Sequence, residues 1–186
     1  MKGDAQYWSV KVGDRVEENA VWAYQEPLEG CVDARDYVAF YWNRMDGWFE
    51  EEEEVFIGPK DPYTRVDCLQ SSRHVRVELN GVTVAETRQP VMLLETGLPH
   101  RYYIPGKDVR KDLLRPSERV LGSTYKGLAG YYHADVGGET FEDVAWTYRD
   151  PTAESAKIAG YVCFPQGKAD VYVDGELEPK PNTRWD

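Results

Sequence analysis

Apolar and polar residues alternate with a period of two along most of this chain, the pattern of strands that bury one face. Val75, Val77 and Leu79 alternate with His74, Arg76 and Glu78, and Asn80-Gly81 then supplies the dipeptide of a tight hairpin turn. Residues 82–87 return. Residues 91–95 are a third strand, apolar enough to be buried on both faces, and 101–105 a fourth. Residues 120–125, 130–136 and 140–148 follow, the last two separated by Gly137-Gly138. Residues 160–164 and 169–173 close the series before a turn at Asp174-Gly175. Near the start, Trp8, Val10 and Val12 alternate with Tyr7, Ser9 and Lys11 ahead of Gly13-Asp14. That predicts a hairpin over 2–16, with further strands at 19–24 and 37–42. Val109, Leu113 and Leu114 lie on one side of a short helix predicted over 107–114 and stopped by Arg115-Pro116. Asp150-Pro151 opens a second short helix to about 158, and Glu26-Pro27 opens a turn or helix in the same manner. Closely spaced short strands with these turn signals mean an all-β, mainly antiparallel fold with short helical turns.

Much of the pattern occurs twice. With Lys2 laid on Lys126, an offset of 124 positions is held without a gap for some fifty residues. Tyr7-Trp8 falls on Tyr131-Tyr132, Gly13 on Gly137, and Trp22-Ala23-Tyr24 on Trp146-Thr147-Tyr148. Pro27 falls on Pro151, and Tyr37-Val38-Ala39-Phe40 on Tyr161-Val162-Cys163-Phe164. A register kept by bulky aromatics reads as an internal repeat. The boundaries that follow are a partial copy over 1–52, a linker over 53–72, a complete copy over 73–176 and a tail over 177–186. Five acids at 50–54 and the Gly58-Pro59-Lys60-Asp61-Pro62 run mark the linker as a solvated, charged loop.

An ordered set of short motifs runs through the complete copy: Arg73-His74-Val75-Arg76-Val77-Glu78-Leu79-Asn80-Gly81, Leu94-Glu95-Thr96-Gly97-Leu98-Pro99, Arg101-Tyr102-Tyr103-Ile104-Pro105, Tyr125-Lys126-Gly127, Trp146-Thr147-Tyr148 and Tyr172-Val173-Asp174-Gly175. In order and spacing these resemble the bacterial domain of unknown function family 427, also labelled a nucleotidyltransferase. The resemblance covers 73–176 as a whole domain and 2–52 as the back half of another. It implies a β-tent-like arrangement and two fused copies, of which this chain starts inside the first, with Met1 where the second has Tyr125. It implies little about activity.

Thirteen Tyr and six Trp give too many large side chains for a disordered chain. The 186 residues suffice for a domain or a domain and a half. A formal charge of −11 repels phosphate backbones, so nucleic acid is not an expected partner. Met1-Lys2-Gly3-Asp4 lacks the apolar stretch of a signal peptide, and no run reaches membrane-spanning length, so no membrane partner is expected. Cys31, Cys68 and Cys163 are odd in number and far apart, which points to a reducing cytoplasm rather than a disulfide framework.

No zinc knuckle is present, and His74, His100 and His133 stand far apart, so no metal site and no cofactor is expected. There is no Gly-x-Ser-x-Gly elbow, Walker loop or dinucleotide fingerprint. Nucleotidyl transfer would want Gly-Ser followed by paired acids; Gly122-Ser123 is present without an Asp-x-Asp. The remaining chemistry centres on Lys126, between Tyr125 and Gly127. A lysine among aromatics is either a desolvated base or anion clamp, or a snorkelling lysine capped by a carboxylate such as Glu95. Glu95 ends an apolar strand and needs a partner, for which Arg101 is the near choice. That pair is either structural glue or a general base beside a bidentate anion binder. About two-thirds of the aromatic set (Tyr102, Tyr103, Tyr125, Tyr131, Tyr132, Trp146, Tyr148) should be core, the rest lining a pocket.

The expectation is a cytoplasmic β-domain binding a small anionic or planar ligand through Glu95, Arg101, Tyr103, Tyr125, Lys126 and Trp146, with Glu95 and Lys126 the candidates for any catalysis. The alternative is a non-enzymatic protein-interaction module. The aromatic half copy should not stay solvated, and a homodimer through residues 2–52 is the expected remedy.

Overall fold

The strands pair antiparallel throughout, as the alternation predicts. The computed structural model describes residues 2–55 and 58–182, and the chain divides into two units, Met1–Gly58 and Pro59–Asp186. The N-terminal unit has β1 (Gln6–Val12), β2 (Arg15–Ala23) and β3 (Ala39–Phe40) in one sheet, a 3-10 turn Trp42–Arg44, and a small hairpin of β4 (Phe49–Glu50) and β5 (Glu53–Glu54). The C-terminal unit carries β6 (Val66–Gln70), β7 (Val75–Leu79), β8 (Val82–Thr87), β9 (Val91–Glu95), β10 (Arg101–Ile104), β11 (Leu114–Ser123), β12 (Gly127–Val136), β13 (Glu139–Tyr148), β14 (Val162–Cys163), β15 (Asp170–Val173) and β16 (Glu176–Leu177). Its seven-stranded sheet has the order β11-β12-β13-β14-β10-β9-β6, and its four-stranded sheet β16-β15-β7-β8. Asn80 and Gly81 sit at φ 48° and 74°, the left-handed pair that a two-residue hairpin turn needs. Among the described residues no helix is long and apolar enough to cross a membrane.

Period-two alternation divides the large sheet between two cores. Tyr102 and Ile104 point to one face, where they join Val75, Val77, Val84, Val136 and Phe164 between the sheets. Tyr103 points to the other, with Val91, Leu93, Tyr148 and Cys163 under Ile158 of the 3-10 turn Ala153–Ile158. This explains why every residue of β10 is buried. Each aliphatic side chain so buried contributes about 1.5–3 kcal/mol.

Several local expectations change. Residues 107–114 form two 3-10 turns, Gly106–Asp108 and Lys111–Leu113, in place of a helix. Val109 between them is extended and bridges to Ala85, and Arg110 N–H donates to Val84 O at 2.8 Å, so the chain is drawn onto β8. Arg115-Pro116 lies inside β11, not past a helix end. As an edge strand β11 tolerates a missing N–H, and the register slips just after Pro116. The expected linker contains β6, which pairs with β9 from Val66↔Glu95 to Gln70↔Val91. Residues 2–24 form one long hairpin, since β2 runs through to Ala23, while the strand expected over 37–42 is only Ala39–Phe40. Residue 94 is exposed, so β9 is not buried on both faces. Leu177 belongs to β16 rather than to a tail; residues 183–186 of that tail and 56–57 of the linker lie outside the described residues.

The hairpins β1–β2 and β12–β13 carry the same irregularities 124 positions apart. Val12↔Arg15, Tyr7↔Trp22 and Trp8↔Val21 correspond to Val136↔Glu139, Tyr131↔Trp146 and Tyr132↔Ala145. The register shifts directly after Trp8 and directly after Tyr132. Asn19 and Asp143 are left-handed, at φ 52° and 48°. The N–H of Asn19 donates to Ser9 Oγ at 3.3 Å, and that of Asp143 to His133 Nδ1 at 3.1 Å. A bulge leaves one N–H without a ladder partner, and in each hairpin the side chain ten residues earlier accepts it.

Candidate functional site

Register alone lines up a row across five strands of the large sheet. Val91 of β9 faces Tyr103 of β10, Tyr103 faces Cys163 of β14, Cys163 faces Trp146 of β13, and Trp146 faces Tyr131 of β12. Directly opposed residues share a face, so this row builds an aromatic wall. Leu93 and Glu95 extend the same face along β9, and Arg101 extends it along β10, opposite Leu93.

The sheet curls around this wall. Asp61, just before β6, donates its N–H to Tyr125 Oη at 2.8 Å, just before β12, although the two strands lie near opposite ends of the sheet order. Thr152 and Ser155 donate their hydroxyls to Tyr125 O at 2.5 and 3.1 Å, fastening the 3-10 turn across the gap. Lys157 Nζ reaches Cys68 O of β6 at 3.0 Å. The curl brings the Lys126 ammonium onto the Glu95 carboxylate, with the two side chains 10% and 9% exposed. Gly127 makes this approach feasible. Its φ is +91°, and a Cβ there would lie 3.1 Å from Asp150 O.

Behind the pair, Trp146 Nε1–H donates to Tyr103 Oη at 3.1 Å, and the Tyr103 and Tyr148 rings lie 6.4 Å apart. Burial holds both phenols above their ordinary pKa, most strongly in Tyr103. Tyr131 and Trp146, both half-buried, meet at 5.8 Å, with the Arg119 guanidinium 4.8 Å over the Tyr131 ring.

Of the six expected ligand-binding residues, Glu95, Tyr103, Lys126 and Trp146 therefore come together, and Tyr125 flanks them. Arg101 is buried on the same face, but its guanidinium donates to Gln166 Oε1, and Gln166 Nε2 donates to His100 O at 3.1 Å. Of the two partners read for Glu95, the structure pairs it with Lys126, as in the reading of a lysine capped by that carboxylate, rather than with Arg101. Gln166, 2% exposed, and Ser155, fully buried, were not legible as site residues, since neither stands in a distinctive motif. A second polar cluster also lay unseen. Ser117 Oγ donates to Asp143 Oδ1 at 2.6 Å, with Arg119 Nη1 3.3 Å from Oδ2. Ser117, then Arg119, holds the Asp143 carboxyl below its ordinary pKa. Because the serine bonds to the carboxylate and not to His133, the cluster lacks the arrangement of an activated nucleophile.

A domain-family model matches residues 1–51 and 67–175, and its description is Domain of unknown function (DUF427). This chain belongs to the DUF427 family. No curated protein matches it. In this DUF427 chain the Gly122-Ser123 pair closes β11 and makes a turn, where Ser123 Oγ accepts the Tyr125 N–H at 3.3 Å and Ser123 O accepts the Lys126 N–H at 3.3 Å. Among the described residues no three His, Cys, Asp or Glu side chains gather as a metal site requires.

Cys163 is fully buried in the row, and burial pushes its thiol up to about 12. Burial also raises that of Cys68. Thiolate is the reactive form, so both should resist iodoacetamide at pH 8 in native protein and react after denaturation. Mass mapping of the alkylated peptides checks this.

Proposed function

We propose that the C-terminal unit binds a small planar ligand at the aromatic wall, with a polar edge that engages Lys126 and Glu95. The observation that carries this reading is a buried ion pair beside a row of aromatic and small apolar side chains, Tyr131, Trp146, Cys163, Tyr103 and Val91. Apolar residues of similar volume would fold as well or better there, so folding gives no reason for the pair, whereas a pocket needs a few placed polar groups in aromatic walls. A mutually neutralised pair offers a donor and an acceptor side by side. That favours a ligand with both kinds of group on one edge over a simple anion. The role is binding; the pair holds each charge satisfied rather than poised for proton transfer. Cys31, Cys68 and Cys163, none of them in a disulfide, fit a cytoplasmic setting.

Residues 2–52 and 126–176 are, on this reading, two copies of one structural unit. The equal turns, bulges and N–H acceptors at a constant offset support it, as does the match of one family model to both ends of the chain.

Native mass spectrometry of freshly purified full chain tests the ligand. A bound species below about 1 kDa is expected, a drug-sized ligand by volume, and it should be reduced in Trp146→Phe, which keeps a ring and loses the indole N–H. A bare wild-type mass, together with no metabolite from a broad panel raising the melting temperature, would sink the reading.

A further inference from the structure

The aromatic row is sealed at one end and open at the other. Val91, Tyr103 and Cys163 are each 1% exposed or less, whereas Trp146 and Tyr131 are half-buried. The neighbouring row ends likewise. Leu121 of β11 faces Ala129, Ala129 faces Tyr148, and Leu121 is 44% exposed. A ligand lying on this face therefore meets solvent on the β11–β12 side. The cation that stands there is Arg119, over the Tyr131 ring.

Arg119 is held in place without being used up. Its side chain is 45% exposed. Among the described residues its guanidinium makes one hydrogen bond, the 3.3 Å contact from Nη1 to Asp143 Oδ2. The Nε–Nη2 edge keeps two parallel N–H donors, which match the two oxygens of a carboxylate. The Tyr131 ring backs the guanidinium from the other side.

Stability does not account for this arrangement, because an ion pair so exposed adds little to it. Nor does the bulge demand an acid at 143, since β1–β2 makes its bulge with Asn19 in the same left-handed conformation. The Asp143 carboxylate serves to aim Arg119, and Ser117 fixes it by donating to its other oxygen at 2.6 Å. Charge points the same way. The chain carries −11 overall, a field that disfavours anions. An anion settles on it only where a placed cation outweighs that field within about 8 Å, the screening length at physiological salt.

Resting on the ligand reading above, we propose that Arg119 is the specificity-determining residue of the site and that the ligand is a planar heterocycle bearing a carboxylate. The heterocycle lies on Trp146 with its donor–acceptor edge toward Lys126 and Glu95. Arg119 binds the carboxylate side-on at the open end of the wall.

The probes are two fluorescent bicycles of nearly equal size, 6-carboxypterin and the neutral 6-hydroxymethylpterin. Both have a lactam edge that offers a donor and an acceptor together. Each is titrated into full chain and followed by its own fluorescence. The carboxylate is expected to bind about tenfold tighter, a difference on the order of 1.4 kcal/mol. It should lose that advantage in about 1 M sodium chloride, where the screening length falls to about 3 Å. Arg119→Gln should bring the two probes to equal affinity and leave the neutral probe binding as it does to wild type, which also shows that the variant folds. The Lys126→Met, Glu95→Leu variant should lose both probes, because it removes the edge contact they share. Equal affinity of the two probes for wild type would overturn the carboxylate assignment and leave the ligand reading standing. So would a tenfold preference that survives in Arg119→Gln. No binding of either probe up to about 1 mM, the limit of weak specific binding, would also overturn the assignment, and a bound species in the native mass would then spare the ligand reading.

Discussion

Lys126→Met is expected to lower the unfolding free energy by about 3 kcal/mol, the lower end of what breaking a buried ion pair costs. The methionine keeps most of the lysine stem, so apolar packing changes little. What changes is Glu95, left 9% exposed with its counter-ion gone. The lower end applies because about a tenth of each side chain still meets solvent. Glu95→Gln alone should cost less than Lys126→Met, since a neutral amide still accepts from the ammonium. The Lys126→Met, Glu95→Leu double variant should recover most of the loss, because it removes both charges and leaves an apolar patch. Urea denaturation of wild type, Lys126→Met, Glu95→Leu and the Lys126→Met, Glu95→Leu double variant closes the cycle and measures the coupling. Losses that simply add would show that the two groups do not depend on each other. The ligand reading makes a separate demand: the double variant, though stable, should purify without the small molecule.

The pair also shows where sequence reasoning stopped. Glu95 at the end of an apolar strand announced a need for a partner. Two partners were on offer: Arg101, six residues away, and Lys126, thirty-one away, read as a lysine capped by Glu95. The curl of the sheet decides between them, and nothing local in either segment encodes it. Hairpins were legible because their turns are local: Asn80-Gly81 and Gly137-Gly138 need no distant contact to be read. The helix expected over 107–114 rested on the spacing of Val109, Leu113 and Leu114. Bridging of Val109 to Ala85 overrides that spacing, a tertiary effect acting on a weak local preference. β6 was hidden because Val66–Gln70 is short and follows a proline-rich stretch. Its place is set by pairing with β9, not by its own alternation. Tyr103 and Trp146 share a face because each is registered against Cys163, a long-range pairing that neither strand's own alternation specifies.

Tyr103 separates the two functions of that face, and its variants should divide accordingly. Tyr103→Phe removes only the hydroxyl that accepts the Trp146 indole N–H at 3.1 Å. Trp146 is half-buried, so water can replace the lost acceptor. The expected cost is about 1 kcal/mol, the usual net value of one hydrogen bond. Tyr103→Ala removes the ring itself from a position 1% exposed, between Val91 and Cys163 on neighbouring strands and against Tyr148. The loss of transfer energy and the cavity left behind should together cost about 3–5 kcal/mol, as for other large-to-small core changes. The phenylalanine variant should keep the near-ultraviolet circular dichroism of a packed core and shift the Trp146 emission alone. The alanine variant should flatten that spectrum as well. Were both variants to lose the same stability, the hydroxyl would carry the position and the ring would be incidental. The aromatic wall would then be a hydrogen-bond network rather than a packed surface, and a planar ligand would have nothing to lie against.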